Sequence, residues 1–390
     1  MPCRTSSTPI PIHISTRDVA ATGSTESSVS SVSSTEQEEH AHVQVDFMLS
    51  QLTDEELEIA ARASYQYLVN PRNKCPKTYA RTMAERYFRS KKDPHLALRK
   101  MRATLAFRKD IDIDGLRLAF NTSLSDPIND GPMSMPMPPL PKSMSWLSES
   151  SDSSESSSSS SASSAASDVA EPLERFLSTG KNVVMCYDRQ GRSTHFFVPG
   201  KTVVEHPVWT LKESLYTMER ALACSRAPDS SVNVIVDVRG FSLLTQTPSI
   251  RLGGHFLNTF RQHYAGQLHK IFVIDAPVSQ VLQQHAPFSL EIIFLTLLCY
   301  AFCFLPLYTQ QTGFSTIWKV FSPFLGKATQ KKVIFLSGKK QKQAILSQYY
   351  DPSQAADWML PLSENENGKN REFDVEEYLY KTPFDCAFDE

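Results

Sequence analysis

The chain has 390 residues, of which 41% are hydrophobic and 21% charged, and a formal net charge of −2 at pH 7. Near-neutrality excludes a bulk electrostatic attraction to nucleic acid or to an anionic membrane, so any such binding has to be local. The seven cysteines, Cys3, Cys75, Cys186, Cys224, Cys299, Cys303 and Cys386, are scattered and lack metal-ligand spacing, which predicts isolated small hydrophobes in a reducing compartment.

Residues 1–45 are rich in Ser, Thr and Glu, have no apolar stretch of signal-peptide type, and are predicted to form a disordered tail. The pattern changes at Asp46. Thr53-Asp54-Glu55-Glu56 offers an N-cap with an acidic first turn, and Leu57, Ala60, Ala61, Tyr65 and Leu68 continue one apolar helical face up to Asn70-Pro71. A second helix is predicted over Thr78–Arg89 and a third after Asp93-Pro94, a capping residue followed by proline at the first helical position. These three form a small bundle over 46–120. Its arginines and lysines read as a solvated face, with phospholipid headgroups as the alternative partner. Residues 121–170 carry a Pro/Met-rich stretch and a long serine run, predicted to be a disordered linker.

From Glu171 the folded pattern resumes. Val183–Tyr187 and Thr194–Val198 read as a hairpin around Asp188-Arg189-Gln190-Gly191, and Leu211–Ala223 as an amphipathic helix. Val232–Val238 is a nearly all-apolar strand expected at a sheet centre, Ile250–His263 a helix, and Lys270–Ile274 another central strand. Val333–Leu336 supplies one more. Before it, Phe314, Ile317, Trp318, Phe321, Phe324 and Leu325 recur at three- and four-residue steps, which places them along one face of a helix that Pro323 ends or kinks. Alternating strands and helices imply an α/β fold with a mixed, mostly parallel sheet.

In this order the blocks resemble the CRAL-TRIO family of lipid-binding and phosphatidylinositol-transfer proteins. The bundle with Glu85–Asp93 (ERYFRSKKD) is similar to the family's N-terminal helical domain. Tyr187–Arg192 resembles its opening hairpin, Val234–Gly240 (VIVDVRG) its central strand, and Leu268–Pro277 with Phe314–Leu336 its strand, gate helix and following strand. The resemblance implies an apolar pocket above a sheet floor over 171–365, closed by a gate helix lined by Phe314, Ile317, Trp318, Phe321, Phe324 and Leu325. It also implies headgroup contacts from Thr329 and Lys332, no cofactor and no catalysis. The expected partners are a phospholipid or other hydrophobic molecule and, transiently, a membrane surface, with no nucleic acid. The expected state is a monomer, cytoplasmic and peripheral to membranes. One departure stands out. Family members that bind phosphatidylinositol carry an acidic and a basic residue where this chain has Tyr264-Ala265-Gly266-Gln267, which disfavours phosphatidylinositol and leaves phosphatidylcholine, a sterol- or tocopherol-like molecule or another hydrophobe open.

A second departure is the apolar stretch 278–311, which interrupts the family's spacing between Pro277 and Phe314. It is read as a translated intron: Val278-Ser279 can be encoded by a splice-donor sequence and Gln311 by an acceptor end. A genuine insertion is the alternative, and a membrane span over 288–307 would have to leave and re-enter a closed domain at one place without a basic flank. No nucleophile elbow, phosphate loop or paired acidic motif appears in the sequence, and His195, His206, His255, His263 and His269 read as isolated structural histidines. The functional expectation is a gated lipid carrier that transfers or presents its ligand. The alternative is an adaptor with a degenerate pocket that recruits partners to membranes. Residues 366–390 read as a C-terminal tail.

Overall fold

The computed structural model describes residues 34–72, 74–121, 167–201, 206–239, 250–275, 322–325, 327–351 and 373–387. Two compact units are distinguished, Met1–His40 and Ala41–Glu390, and the packing described below is that of the second. Helix α1 covers Ser34–Ser50, so helical structure begins ahead of the expected boundary at Asp46. Val45, Met48 and Leu49 explain the order of its last turns: spaced at i, i+3 and i+4, all three are buried in one apolar cluster.

Helix α2 (Asp54–Arg62) opens with the expected capping box, in which the Glu56 N–H donates to Thr53 Oγ1 at 3.2 Å and the Thr53 N–H to the Glu56 carboxylate at 3.0 Å. The helix predicted to run to Asn70 breaks at Ala63-Ser64 and resumes as the short α3 (Tyr65–Leu68). Helix α4 (Pro76–Lys91) ends on Lys92 in the left-handed region, and α5 (Pro94–Ile111) begins with the Asp93 carboxylate accepting the N–H groups of His95 and Leu96. Asp112, also left-handed, ends α5 and caps α6 (Ile113–Leu118) by accepting the Gly115 N–H at 3.1 Å. A Cβ at Gly115 would lie 2.1 Å from that carboxylate, so a side chain here would displace the Asp112 cap. Met83, Tyr87, Met101 and Leu105 are the buried knobs that hold α4 to α5, each contributing roughly 1.5–3 kcal/mol by leaving water.

Helix α7 (Ser167–Leu177) leads into a five-stranded sheet in sequential order, β1 (Asn182–Tyr187), β2 (Ser193–Phe197), β3 (Val232–Asp237), β4 (Leu268–Ile274) and β5 (Val333–Leu336). β1 and β2 form the antiparallel hairpin; all later pairings are parallel. Asp188 shapes the hairpin turn by accepting the N–H groups of Gln190 and Arg192 at 2.8 and 2.9 Å. Helix α8 (Pro207–Cys224) joins β2 to β3, α9 (Ile250–His263) joins β3 to β4, the short α10 (Lys327–Gln330) precedes β5, and α11 (Lys339–Tyr349) follows it.

The parallel registers align His195, Val234, Ile271 and Val333, and two residues on Phe197, Val236, Val273 and Phe335, on one face of the sheet. The other face carries Phe196, Ile235, Phe272 and Ile334, and it closes with Leu346 and Tyr350 of the α11 region into a buried cluster.

The segment 373–387, expected as a tail, is packed. Tyr378, Leu379, Phe384 and Ala387 are buried in the main core, because Arg220 of α8 donates to the carbonyls of Tyr378, Thr382 and Pro383 and stacks 3.8 Å from the Tyr378 ring. The helical region and the sheet region are joined by a second buried arginine set. Arg108 of α5 reaches Glu219 of α8 with two bonds of 2.7 and 3.2 Å, Arg117 approaches the same carboxylate at 3.4 Å, and the Tyr264 hydroxyl donates to it at 2.9 Å.

Candidate functional site

Val234, Val236, Ile271, Val333 and Phe335 line the first sheet face over β3 to β5 and are half-buried around the buried Val273, whereas on the opposite face Ile235 and Phe272 are buried against the α11 region. An apolar floor only half removed from water retains transfer free energy that an apolar ligand can collect, at about 25 cal/mol per Å². At the β1–β2 end of the sheet α8 closes the structure, with Leu211 and Leu215 fully buried.

At that closed end a polar relay runs along the same face. Asn182 pairs with Phe197 and His195 with Val184 across the hairpin, which sets both polar side chains on the floor side. Lys181 Nζ lies 2.8 Å from Glu213 Oε2, Asn182 Nδ2 donates to Glu213 Oε1 at 2.8 Å, and Asn182 Oδ1 lies 2.9 Å from His195 Nε2. Because the Asn182 amide donates to the carboxylate, its oxygen faces the imidazole, and His195 carries its proton on Nε2. Burial pushes His195 down to about 4, so the ring is neutral at pH 7. Its Nδ1 is then a buried acceptor with no hydrogen-bond partner among the described residues. Glu213 is pushed up by burial, against the opposing pull of Lys181. An unpaired acceptor at the edge of an apolar floor can take a hydrogen bond from a hydroxyl or amide of a ligand.

The residues expected at a headgroup come together elsewhere. Thr329, in α10, and Lys332, in the turn that follows it, lie together: the Lys332 N–H donates to the Thr329 carbonyl at 2.9 Å, and both are half-buried. Lys332 Nζ donates to the Leu268 carbonyl at the start of β4, and burial and the neighbouring Lys270 lower its pKa. Its ammonium is therefore engaged in tying β5 to β4. Of the expected gate, Phe314, Ile317, Trp318 and Phe321 lie outside the described residues, as does the stretch 278–311. The described remnant is a 3₁₀ turn at Ser322–Phe324, containing Pro323, followed by the half-buried Leu325. Gln330 pins it by donating to the carbonyls of Ser322 and Leu325 at 2.7 and 2.9 Å, and the turn lies against α9.

Two cavities lie away from the floor. One of about 340 Å³ is lined by Glu55, Glu58, Arg62, Arg108, Lys109 and Asp114 among others, a mixed-charge surface unsuited to an acyl chain. The other, about 230 Å³, sits under the C-terminal segment between Tyr65, Tyr216 and Phe384, beside Arg117 and Arg220. Among the described residues no cluster of His, Cys, Asp and Glu has the geometry of a metal site, and no helix is long and apolar enough to cross a membrane. Sequence reading missed the His195 relay, since its four members come from three separate elements; the polar Asn182 and His195 inside otherwise apolar strands were the available signal.

The mixed, mostly parallel five-stranded sheet with helices packed on it makes this an α/β protein with an apolar, partly buried face over β3 to β5. In the comparison with known proteins the CRAL/TRIO domain model matches residues 177–283, which covers the hairpin, α8, β3, α9 and β4, so this stretch is similar to a CRAL/TRIO domain. Proteins of this family bind lipids and other small hydrophobic molecules and are in general not enzymes. A relative from Saccharomyces cerevisiae, the phosphatidylinositol transfer protein PDR17, is 25% identical over 103 residues, a stretch that covers 25% of this chain and 29% of that protein. The chain thus matches less than a third of the length of this curated relative. The crystal structure of Sfh5 is similar with a TM-score of 0.46 at 10% identity, covering 89% of this chain and 94% of that one.

Proposed function

We propose that the protein binds one lipid or related hydrophobic molecule on the β3–β5 floor and transfers it between membranes or presents it. The observation that carries this reading is the floor itself, with Val234, Val236, Ile271, Val333 and Phe335 half-buried around the buried Val273, on the face opposite the one that packs against α11. The expected gate, Phe314 to Leu325, is the candidate cover: if Phe314, Ile317, Trp318 and Phe321 share a helical face ahead of the Ser322–Phe324 turn, they can bury against an acyl chain when closed. The polar end of the ligand has two candidate contacts. His195 Nδ1 accepts a hydrogen bond, and Thr329 with Lys332 meets a phosphate once the Lys332–Leu268 bond is exchanged for it.

Both features favour a ligand other than phosphatidylinositol. The charged pair used for that headgroup is replaced by Ala265-Gly266-Gln267, and Lys332 is already engaged. Organic extraction of purified protein tests the reading. An apolar molecule near one per chain is expected from the natural chain, and Ile271→Asp, which places a charge in the floor, abolishes it while the fold is retained. Retention of the same molecule by Ile271→Asp refutes the floor as its site. An empty wild-type protein that still recruits a protein partner to membranes favours the adaptor.

A further inference from the structure

Several cations of the helical region are paired: Arg62 with Glu58 at 3.1 Å, Arg81 with Asp46, Arg102 with Glu56 at 3.0 Å and Lys109 with Glu55 at 2.6 Å. Another set comprises the exposed or part-exposed Lys91 and Lys92 at the end of α4, Arg99 and Lys100 in the early turns of α5, and Arg261 near the end of α9. None of these five forms an ion pair within the described residues. The nearest acidic group in sequence, Asp93, is occupied in capping α5, and Arg261 is met only by the neutral amide of Asn258 at 2.8 Å.

The three elements are locked together at this point. His263, two residues after Arg261, stacks on Phe107 with ring centres 4.0 Å apart, and its Nδ1 lies 3.2 Å from Thr104 Oγ1, one turn beyond Lys100. The cations are thus held in proximity. Burial lowers the Lys100 pKa, and Lys91, Arg261 and Arg99 lower it further. Like charges gathered by the fold without a counter-charge repel each other, and that repulsion is relieved by an external polyanion.

We propose that Lys91, Lys92, Arg99, Lys100 and Arg261 form a docking surface for the headgroups of an anionic phospholipid bilayer. Helix α9, which carries Arg261, also meets the Ser322–Phe324 turn. A bilayer suits a compact patch of five cations, because each lysine or arginine near an anionic surface strengthens binding about fivefold. Nucleic acid is the weaker fit, since strong association there takes roughly 6–10 phosphate contacts along a groove and the chain as a whole is slightly acidic. The inference rests on the lipid-carrier reading only in saying what the docking is for.

The test is co-sedimentation of the full chain with vesicles of phosphatidylcholine alone and with about a third phosphatidylserine, at low and high salt. Wild type is expected to prefer the anionic vesicles and to lose that preference in high salt. The variant K91Q/R99Q/K100Q/R261Q is expected to weaken binding by about 600-fold, while R62Q/K109Q among the paired cations binds as wild type and both melt within a few degrees of it. Bound lipid is measured in every variant by extraction, so an empty but anion-selective protein would refute the carrier reading and leave the docking surface intact. Equal binding to neutral and anionic vesicles, an unaffected quadruple variant, or tighter binding to duplex RNA than to anionic vesicles overturns the proposal.

Discussion

Substitution of Glu219 by Gln removes one charge and almost no volume at the junction of the helical and sheet regions, and its cost follows from the groups left behind. The carboxylate takes two Arg108 bonds, one from the Tyr264 hydroxyl, and lies 3.4 Å from Arg117. Both guanidinium groups are nearly inaccessible, at 8% and 2% exposure. Their remaining counter-charge, Asp114, lies 3.5 and 3.6 Å away and is itself part-exposed. Breaking a buried ion pair on one side costs about 3–5 kcal/mol, a large share of the roughly 5–15 kcal/mol that holds a domain folded. The same carboxylate gives the linkage its sign. Burial alone would push Glu219 up, but Arg108 and Arg117 outweigh burial and hold it below the usual value, so its contribution is present above the unfolded carboxylate range and is lost as pH falls through the folded pKa. Urea unfolding at neutral pH is the assay. A loss of under about 1 kcal/mol for Glu219→Gln, or an unchanged acid limb of the stability profile, would refute the idea that this network joins the two regions.

Three further outcomes follow. Arg220→Met leaves the carbonyls of Tyr378, Thr382 and Pro383 without their donor, so hydrogen exchange should accelerate across 373–387 while the core of α4 and α5 keeps its protection; uniform acceleration would show that the segment is no separate clasp. His195, buried neutral with its pKa down to about 4, makes the unfolded chain the better proton acceptor below about pH 6.5. Stability should therefore fall by about 3 kcal/mol as pH drops from there to 4. Glu213, pushed up by burial, works in the opposite sense, so the informative quantity is the flatter profile of His195→Gln relative to wild type. Sequencing of the dominant transcript should lack the codons for 278–311, and a transcript that retains them refutes the intron reading.

Most of the regular structure was legible because its signals are local. The Thr53 and Asp93 caps, the Asp188–Gly191 turn and the apolar runs of β3 to β5 each declare themselves within a few residues, and the helix Ile250–His263 was placed at its observed bounds despite Gly253-Gly254. What sequence did not give depends on contacts between distant segments. Residues 373–387 read as a tail because Tyr378, Leu379 and Phe384 are few and widely spaced, and only the arginine of α8 explains their burial. Helix α1 was obscured by the polar composition of its first half, its core residues falling at the end. For the site, the floor positions followed from strand alternation once the register was known, whereas the His195 relay draws on β1, β2 and α8 and has no pattern along the chain. Thr329 and Lys332 were expected as free headgroup contacts, and the bond from Lys332 to Leu268 could not be read from spacing.

Lipid occupancy of the natural chain is the most direct test of the central claim. Native mass spectrometry of protein purified without detergent should give a species heavier than the polypeptide by one lipid-sized mass, which exchanges when donor vesicles of labelled lipid are supplied. A mass equal to the bare polypeptide before and after incubation with donor vesicles would contradict the account.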